Sequence, residues 1–406
     1  MNLSRKMAAF FPAALAQAVK AAGEAAAARG WGAYLVGGAV RDMLLERPCM
    51  DVDLSVEGDA IAVAHDIAGG LRVVAHPRFG TATLKGEGWD LDLATARQES
   101  YPHPGALPVV SPGPIAQDLL RRDFTINAMA IDLSPGCWGE LVDPYGGQED
   151  ISRRLLRVLH PMSFVDDATR FLRGLRYQGR FGFTMEARTL DLLRRDRAHL
   201  RGISGHRLRR ELEVILREDV PERALRLAVG EGVLPYLALP LSEDSEWEEA
   251  FARARGPGRP SPAHYLCLLA YHLTPGQVEA LVERLSLPRA WARAVRDTVK
   301  LCQSPPSASQ PPSQLTPHLE GFSSTAVAAH AVMAPESLAR SLRLFLRRWR
   351  YVKPALSGND LRRLGVAPGP QMGGLLHRLR AARLDGEVKD RTQEEALVRR
   401  WLEGEG

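Results

Sequence analysis

Two aspartates, Asp51 and Asp53, stand one residue apart in the sequence DVDL. Alternation along a β-strand would point both carboxylates to one face, with Val52 and Leu54 turned to the other. A pair of carboxylates aimed at one point suits Mg²⁺, which binds one or two carboxylates together with substrate phosphates. The pattern therefore predicts metal-assisted chemistry on a phosphate-containing substrate.

The elements before this pair would bring the phosphates to it. The sequence YLVGGAVRDMLL predicts an apolar strand, a turn at Gly37 and Gly38, and a short helix that carries Arg41. Glycines before a helix let backbone N–H groups approach a polyphosphate, and Arg41 can add charge-assisted hydrogen bonds. Each feature alone is more often a structural turn or a solvated side chain. Their succession in one short stretch favours a nucleoside triphosphate site.

Two further segments carry residues that could complete such a site. The sequence DLDLA is predicted as a strand, and its Asp92 could supply a third carboxylate if that strand lies beside the first. The sequence RRDFTIN is open to two interpretations. It is either a charged helix start capped by Asp123, or a triphosphate contact through Arg122 that Asp123 and Asn127 organise.

A stripe of arginines recurs at helical spacing later in the chain. Arg170, Arg173, Arg176 and Arg180 would lie along one face of a helix that begins near Asp167. A solvated face is the usual outcome for such a stripe. Because no matching run of acids follows at helical spacing, we expect these arginines to contact phosphate or a base.

Composition and charge are those of an ordinary globular protein. The 406 residues, 45% of them hydrophobic and 25% charged, indicate roughly two to four domains. The net charge of +5 is compatible with a polyanionic partner but is weak support alone. The four cysteines form no CxxC pair, which argues against a disulfide framework or a zinc site. With no secretion signal and no apolar run long enough for a bilayer, we predict a cytoplasmic protein without membrane contact.

The rest of the chain divides into a loop, a helical remainder and a linker. Residues 97–117 contain five prolines and are predicted as a loop. Helical patterning follows Pro161, interrupted at 303–317 by a linker rich in Pro, Ser and Gln that is not expected to pack. A basic and aromatic stretch at 340–353 is either an exposed helix face or an RNA surface. Its candidate RNA contacts are Arg343, Arg347, Arg348, Arg350 and Lys353.

Taken in chain order, the motifs resemble those of the bacterial class II tRNA nucleotidyltransferase and poly(A) polymerase family. They are GGAVRD with DVD, LLRRDFTINAMA, DPYGG, DDATRFLRGLR and HRLRRELEVIL. The resemblance is strong from residue 31 to residue 217 and weaker afterwards, although SGNDLRRLGVAPGP is similar to the tail of these enzymes. It implies an α/β head, built on the mixed sheet of polymerase-β-type nucleotidyltransferases, followed by an all-α neck, body and tail.

The implied domains divide the whole chain. They are a catalytic head at 1–160, a neck for base recognition at 161–220, a body at 221–302, the linker at 303–317 and a tRNA-binding tail at 318–406.

The resemblance also implies roles by matched position. Asp51 and Asp53 would bind metal, and Asp92 would be the third catalytic carboxylate. The nucleotide would be bound by Gly37, Gly38, Arg41, Arg122, Asp123, Asn127, Asp167, Arg170, Arg173 and Arg176.

In this family a D-x-x-R element recognises the incoming base without a template, and it maps to Asp167 and Arg170. An aspartate accepts a hydrogen bond from an exocyclic amino group while an arginine donates to a ring nitrogen or a carbonyl, so C and A can be accepted over U and G. The family usually has Glu and then Asp before two spacer residues, the first often Pro. This chain has Asp166, Asp167 and Ala168, which keeps the charge.

The implied activity is addition of the 3′-terminal CCA of tRNA, or only its CC or A part, from CTP and ATP with two Mg²⁺ ions. The resemblance implies tRNA as the partner, and it does not imply a protein partner. Family members that add only part of CCA tend to differ in the loop before RRD, here 97–117, and its sequence does not decide between them. A poly(A) polymerase shares the head motifs. A catalytically silent RNA-binding protein is disfavoured by the intact carboxylates and arginines.

Overall fold

The structure, a computed structural model, describes residues 1–49, 51–100, 109–242, 246–256 and 258–404. Contacts divide the chain into two compact units. The first contains Met1–Glu211 and Glu218–Tyr236, and the second contains Leu212–Arg217 and Leu237–Gly406. The predicted head and most of the predicted neck thus share one unit, and the finer division into neck, body and tail stays a prediction.

The β-strands all lie in the first unit. They are β1 (Ala33–Val36), β2 (Asp51–Val56), β3 (Arg72–His76), β4 (Thr81–Lys85), β5 (Asp90–Thr95), β6 (Arg97–Ser100), β7 (Val109–Pro112), β8 (Ala130–Asp132), β9 (Leu141–Val142), β10 (Leu155–Leu156) and β11 (Thr184–Met185). Seven of them form a mixed sheet in the order β3-β4-β5-β2-β1-β8-β9. Within it β2 and β5 are parallel, whereas the other neighbours are antiparallel.

The two acidic strands follow the predicted alternation. Val52 and Leu54 in β2 are almost completely buried in the sheet's core, as are Leu91 and Leu93 in β5, while the aspartates between them are exposed. Burial of the leucines and valines on one face fixes the register, since a slip by one residue would bury the aspartates instead. The predicted α/β head with a mixed sheet is confirmed.

Eleven helices of the described residues begin in the first unit. They are α1 (Ser4–Phe10), α2 (Ala13–Ala28), α3 (Gly38–Leu44), α4 (Ala60–Asp66), α5 (Ile115–Leu120), α6 (Gly147–Ser152), α7 (Ser163–Asp166), α8 (Arg170–Phe181), α9 (Ala187–Asp196), α10 (Gly205–Leu216) and α11 (Pro221–Gly230). Short 3₁₀ helices occur at Pro77–Phe79, Thr125–Asn127, Arg197–Gly202 and Leu234–Leu237. Helical patterning after Pro161 is confirmed, apart from the two-residue strand β11, which pairs with β10.

The prediction of a loop at 97–117 is wrong for most of its described part. Strands β6 and β7 form an antiparallel hairpin, and α5 begins at Ile115. Pro112 ends β7 in a separate two-stranded sheet and Pro114 is the N-cap of α5, positions where a missing N–H costs little. Residues 101–108 lie outside the described residues.

Among its described residues, the second unit contains helices and the loops that connect them, but no β-strand. Its helices are α12 (Trp247–Ala254), α13 (Pro262–Leu269), α14 (Pro275–Arg284), α15 (Arg289–Gln303), α16 (Pro312–Glu320), α17 (Ser324–Met333), α18 (Glu336–Arg347), α19 (Gly358–Arg363), α20 (Pro370–Leu384) and α21 (Arg391–Leu402), with a 3₁₀ turn at Trp349–Tyr351. No helix of the described residues is both long and apolar enough to cross a membrane.

The predicted linker at 303–317 is wrong in its second half. Pro312 is the first residue of α16, a position that tolerates proline because its N–H would be unpaired anyway. Leu315 and Thr316 are fully buried, and Leu315 packs with Leu319 and Leu342 in a core of the second unit. Residues 312–317 of the predicted linker therefore belong to a packed helix.

Gly23 allows α2 to pack closely on the sheet. A Cβ at this position would lie 2.1 Å from the backbone oxygen of Leu133, an atom that cannot move aside easily. We expect Gly23→Ala to destabilise the protein by about 1–3 kcal/mol, against a gain in helix propensity of about 1 kcal/mol. Urea unfolding measures the difference. The control is Gly373→Ala in α20, where an added Cβ meets nothing within 4 Å; equal behaviour of both variants would contradict this packing argument.

Candidate active site

The first unit contains a cavity of about 970 Å³ between the acidic face of the sheet and helices α8 and α10. Every residue that the sequence predicted as catalytic or nucleotide-binding lines it. These are Gly37, Gly38, Arg41, Asp51, Asp53, Asp92, Arg122, Asp123, Asn127, Asp167, Arg170, Arg173 and Arg176. Residues distant in the chain thus face one space, and their individual roles stay predictions.

The carboxylates meet on one face of two adjacent strands. Asp53 in β2 and Asp92 in β5 are register partners, so the condition set for a third carboxylate is met. The hydroxyl of Thr83 on β4 donates a hydrogen bond to Asp92 and orients it. Asp90, the other aspartate of the second D-x-D, is absent from the lining and pairs with Lys85.

The electrostatics of Asp53 suit a cation. Asp53 is open to the cavity, but the protein around it removes part of its solvent and so raises its pKa. The negative charges of Asp92 and Asp51 raise the pKa further, and Arg122 partly opposes them. Clustered carboxylates repel one another when ionised, and a divalent cation between them removes that repulsion. Mg²⁺ takes one or two carboxylates and completes its shell with phosphate oxygens and water, so this donor set fits it. Among the described residues, no three Asp, Glu, His or Cys side chains are arranged to hold one metal ion, so a metal here would need substrate phosphates as further ligands.

The glycine turn before α3 is in close contact with the guanidinium of Arg122. Gly37 has a φ of +71°, in the left-handed region that favours glycine, and a Cβ there would lie 2.6 Å from the Arg122 guanidinium. One Nη of Arg122 donates to Asp118 Oδ2 at 3.2 Å, whereas its buried Nε has no partner among the described residues. Arg122 therefore lies next to the turn with its hydrogen-bonding groups only partly satisfied.

Arg41 is engaged within the protein. It is buried, donates from Nη1 to Asn127 Oδ1 at 2.5 Å and from Nε to Asp42 at 2.8 Å. Its guanidinium also lies over the rings of Tyr177 and Phe181, at 5.4 and 4.8 Å from their centroids. Such a residue stiffens the wall behind the glycine turn, while Arg122 is the better-exposed cation beside the turn itself.

Asp123 links this wall to α8. Its Oδ1 accepts from the Asn127 amide and from the Phe124 backbone N–H, both at 2.8 Å, and its Oδ2 accepts from Arg173 Nε at 2.7 Å. Burial alone would raise the pKa of Asp123, but Arg173 and the hydrogen bond from Asn127 outweigh it and hold the pKa well below its usual range. Asp123, Asn127, Arg173 and Arg41 thus form a charged network that connects α8 to α3 and is buried except at Arg173.

The predicted base-recognition pair is held in place by other groups. Asp167 Oδ1 accepts from the Thr169 N–H and hydroxyl at 3.0 and 2.7 Å, and from an Nη of Arg207 at 2.8 Å. The guanidinium of Arg170 donates to the carbonyls of Ser163 and Arg121 at 3.1 and 2.6 Å. Since a guanidinium has five N–H donors and a carboxylate about four acceptor sites, both keep capacity for a base.

Sequence reasoning missed several residues of the cavity. Arg207, Arg210 and Glu211 line it from α10. Glu218, which accepts a hydrogen bond from the predicted Arg176 at 3.4 Å, was also not anticipated. The three α10 residues belong to HRLRRELEVIL, so the motif itself was the signal. Glu99, Asp118 and Arg121 form an ion-pair cluster at another wall, and Glu99 belongs to the segment that had been predicted as a loop.

Positive and negative side chains are nearly equal in number around the cavity. The arginines of the lining are Arg41, Arg121, Arg122, Arg170, Arg173, Arg176, Arg180, Arg207 and Arg210. The carboxylates are Asp42, Asp51, Asp53, Asp92, Glu99, Asp118, Asp123, Asp166, Asp167 and Glu211. A polyanion therefore needs added cations to be bound tightly, which agrees with the donor set at Asp53 and Asp92.

The candidate RNA contacts lie in the second unit, on α18 and the turn after it. Arg343 pairs with Glu336 at 3.0 Å. Arg350 donates to the Ser324 hydroxyl and lies 5.8 Å from the centre of the Phe345 ring. Arg347, Arg348 and Lys353 are exposed. These contacts do not test whether the five residues bind RNA, so RNA binding by them stays a prediction.

Comparison with known proteins agrees with the geometry. Residues 33–157 match the family model described as "Poly A polymerase head domain", and residues 182–243 match "Probable RNA and SrmB- binding site of polymerase A". The A-adding tRNA nucleotidyltransferase of Halalkalibacterium halodurans is 33% identical over 92% of this chain and 90% of its own length. The CC-adding tRNA nucleotidyltransferase of Deinococcus radiodurans is 34% identical over 91% of this chain and 89% of its own length.

A solved structure shares the fold over nearly the whole length. It is the Thermotoga maritima CCA-adding enzyme complexed with tRNA, with a TM-score of 0.77 and 28% identity over 99% of both chains. The likeness therefore extends from the sheet through both units to the C-terminal helices. With relatives above 30% identity over nine-tenths of the chain, this protein belongs to the tRNA nucleotidyltransferase and poly(A) polymerase family.

Proposed function

We propose that this protein adds the 3′-terminal CCA of tRNA, or its CC or A part, from CTP and ATP without a nucleic-acid template. The observation that carries the proposal is the single cavity in which the Asp53 and Asp92 carboxylates, the glycine turn at Gly37 and the Asp167 and Arg170 pair face one another. The first group supplies chemistry, the second a phosphate site and the third a means of selecting a base. The names of the three relatives, A-adding, CC-adding and CCA-adding, support tRNA as the acceptor.

The reaction exchanges one phosphorus–oxygen bond for another. The 3′-oxygen of tRNA forms a bond to the α-phosphorus of CTP or ATP, and the bond from that phosphorus to the bridging oxygen breaks. Pyrophosphate leaves with the bonding electrons, and the proton of the 3′-hydroxyl passes to solvent. When bound, Mg²⁺ would lower the pKa of the attacking hydroxyl and neutralise charge on the leaving pyrophosphate.

The protein's own contribution to this step is positional. Asp53 and Asp92 would hold the metal ions together with Asp51, which lines the same cavity. Thr83 keeps the Asp92 carboxylate in one orientation. Arg122 and the backbone of Gly37 and Gly38 would fix the triphosphate so that the α-phosphorus faces the 3′-oxygen in line with the leaving group.

Base selection would rest on a carboxylate whose direction is fixed by the protein. With Oδ1 of Asp167 bonded to Thr169 and Arg207, its other oxygen is available to accept from an exocyclic amino group. Cytosine and adenine carry such a group, and uracil does not. Arg207 would therefore act as a positioning residue for base recognition.

We expect Arg207→Leu to relax base selection more than it slows catalysis. The preference for CTP and ATP over UTP should fall by about tenfold or more, since one hydrogen bond to a charged group is worth about 1.5–3 kcal/mol. Competition assays with pairs of triphosphates on one tRNA measure it. The control is Arg217→Leu, which removes another carboxylate-paired arginine, directly after α10 and outside the cavity lining. An unchanged preference in Arg207→Leu would refute the role given to Arg207.

Product sequencing tests the proposed activity. The protein is incubated with Mg²⁺ and tRNA that ends before, after one or after two of the terminal cytidines, with CTP or ATP supplied separately. Extension by three or fewer nucleotides, ending at CCA, supports the proposal, and the acceptor used identifies which part of CCA is added. A long adenylate tail on a non-tRNA primer would instead identify a poly(A) polymerase. The cytoplasmic location predicted from the sequence stays a prediction.

A further inference from the structure

Three guanidinium groups surround the ring of Phe181 at the end of α8. The guanidinium carbons of Arg41, Arg47 and Arg180 lie 4.8, 5.1 and 5.3 Å from the ring centroid. Each contact is favourable through the ring's negative face, but three cations near one buried ring also repel each other. The cluster therefore carries excess positive charge beside the cavity.

Protein carboxylates compensate this charge only in part. Arg41 pairs with Asp42 at 2.8 Å, whereas neither Arg47 nor Arg180 has a carboxylate partner among the described residues. Arg47 donates instead to the carbonyl of Arg180 at 3.3 Å and so fixes the end of α8. The other arginines of α8 in the cavity each have a protein partner. Arg170 donates hydrogen bonds to carbonyls, Arg173 pairs with Asp123 and Arg176 pairs with Glu218. Arg180 lines the cavity, and among the described residues its guanidinium makes no hydrogen bond or ion pair beyond its contact with the Phe181 ring.

The location of Arg180 indicates which anion it would meet. The connection from α3 to β2 carries Arg47 and Cys49, and the charged neighbours of the Cys49 thiol are Asp42, Asp51 and Arg41. The Phe181 cluster thus adjoins the metal carboxylates on the Asp51 side. Arg170 lies about 15 Å away along the helix axis, at ~1.5 Å per residue. A nucleotide with its base near Arg170 would direct the phosphates furthest from the base towards Arg180.

We propose that Arg180 binds the β- and γ-phosphates of the incoming nucleotide and the pyrophosphate released from them, with Arg47 holding it in place. This inference rests on the proposed function. A guanidinium matches phosphate oxygens with two parallel hydrogen bonds, and the excess charge around Phe181 favours a multiply charged anion. Because Arg180 would contact no base, it contributes equally with CTP and ATP.

The test compares Arg180→Gln and Arg180→Lys with the intact protein in the presence of Mg²⁺. Pyrophosphate is the probe, as a competitive inhibitor of incorporation and as a ligand in calorimetry without tRNA. For Arg180→Gln, the pyrophosphate inhibition constant and the KM for the nucleotide should both rise by about tenfold to a hundredfold. The KM for tRNA should not change. Arg180→Lys should recover part of the loss, since it keeps the charge but not the two-point contact.

The matched control is Arg78→Gln. Arg78 also lies over the ring of the next residue, Phe79, at 5.8 Å, but outside the cavity lining. Two results would overturn the inference. One is pyrophosphate affinity that is unaltered in Arg180→Gln, and the other is a selective rise in the KM for tRNA with a weaker salt dependence, which would assign Arg180 to an RNA phosphate. Absence of incorporation by the wild type would instead refute the proposed function, and calorimetry with pyrophosphate would still report on Arg180.

Discussion

Replacing Asp53 with asparagine is expected to reduce nucleotide incorporation by about a thousandfold or more while leaving tRNA binding intact. The isosteric amide keeps the shape of the strand but removes the charge that would hold a cation between β2 and β5. Metal stabilisation of transition-state charge is worth several kcal/mol, and each ~1.4 kcal/mol is a factor of ten in rate. Single-turnover incorporation, together with a gel-shift measurement of tRNA affinity, separates the two effects.

The control for Asp53 comes from the second D-x-D. Asp90 has the same exposed setting at the start of β5, yet it pairs with Lys85 outside the cavity lining. Asp90→Asn should therefore retain nearly full activity. If Asp53→Asn and Asp90→Asn behaved alike, the assignment of the metal site to the Asp53 and Asp92 face would be wrong.

Replacing Asp123 with alanine is expected to give the largest loss of stability among the changes to the cavity. The variant removes the buried carboxylate that pairs with Arg173, whose side chain is 35% exposed, and leaves the Asn127 amide without its acceptor, so a cost of about 1–3 kcal/mol is expected. Asp66→Ala is the surface counterpart. Asp66 pairs with Arg29 through two hydrogen bonds in solvent, so its loss should cost much less than the loss of Asp123. Calorimetric unfolding, with the transitions of the two units resolved, measures both. Equal costs would show that the buried network is not what stabilises this wall.

The pH dependence of the Asp123 effect has a definite sign. The folded-state pKa of Asp123 lies below its unfolded value of about 4. Its contribution to stability is therefore fully present above about pH 4 and is lost as the pH falls through the folded pKa. The stability difference between wild type and Asp123→Ala should shrink at acid pH. A difference that stays constant from neutral to acid pH would contradict the ion pair with Arg173.

The acidic face of the sheet was predictable because a local rule decides it. In β2 and β5 the leucines and valines must be buried, and the strand period of two then sends Asp51, Asp53 and Asp92 to the other side. The pairing of β5 with β2 is a tertiary contact, and the repeated D-x-D pattern alone could not predict it. It was stated as a condition, and the register confirms it.

The direction of the arginine side chains could not be predicted in the same way. Arg41 follows a glycine turn in sequence, but its guanidinium is held by Asn127, Tyr177 and Phe181, which come from distant parts of the chain. Similarly, the link between Arg207 and Asp167 depends on how α10 lies beside α7 and α8. Helical spacing predicts which residues share a face, but it does not predict which partner each one meets.

Proline content misled the two loop predictions for a common reason. Pro112 ends a strand, Pro114 is a helix N-cap and Pro312 is a first helical position, whereas Pro317 is an exception that lies inside α16. The first three positions need no backbone donor, so proline is compatible with them. A burial signal was available at Leu315 and Leu319, which are spaced four residues apart as on one helix face.

The most direct test of the central claim is the stoichiometry of the wild-type reaction. The protein is mixed with Mg²⁺, CTP, ATP and a tRNA lacking its terminal nucleotides, and both the nucleotides joined to the 3′ end and the pyrophosphate released are counted. One pyrophosphate per added C or A is predicted, with growth ending at CCA and no product when Mg²⁺ is chelated. Release of inorganic phosphate without extension of the tRNA, or incorporation that persists in Asp53→Asn, would contradict the proposed function.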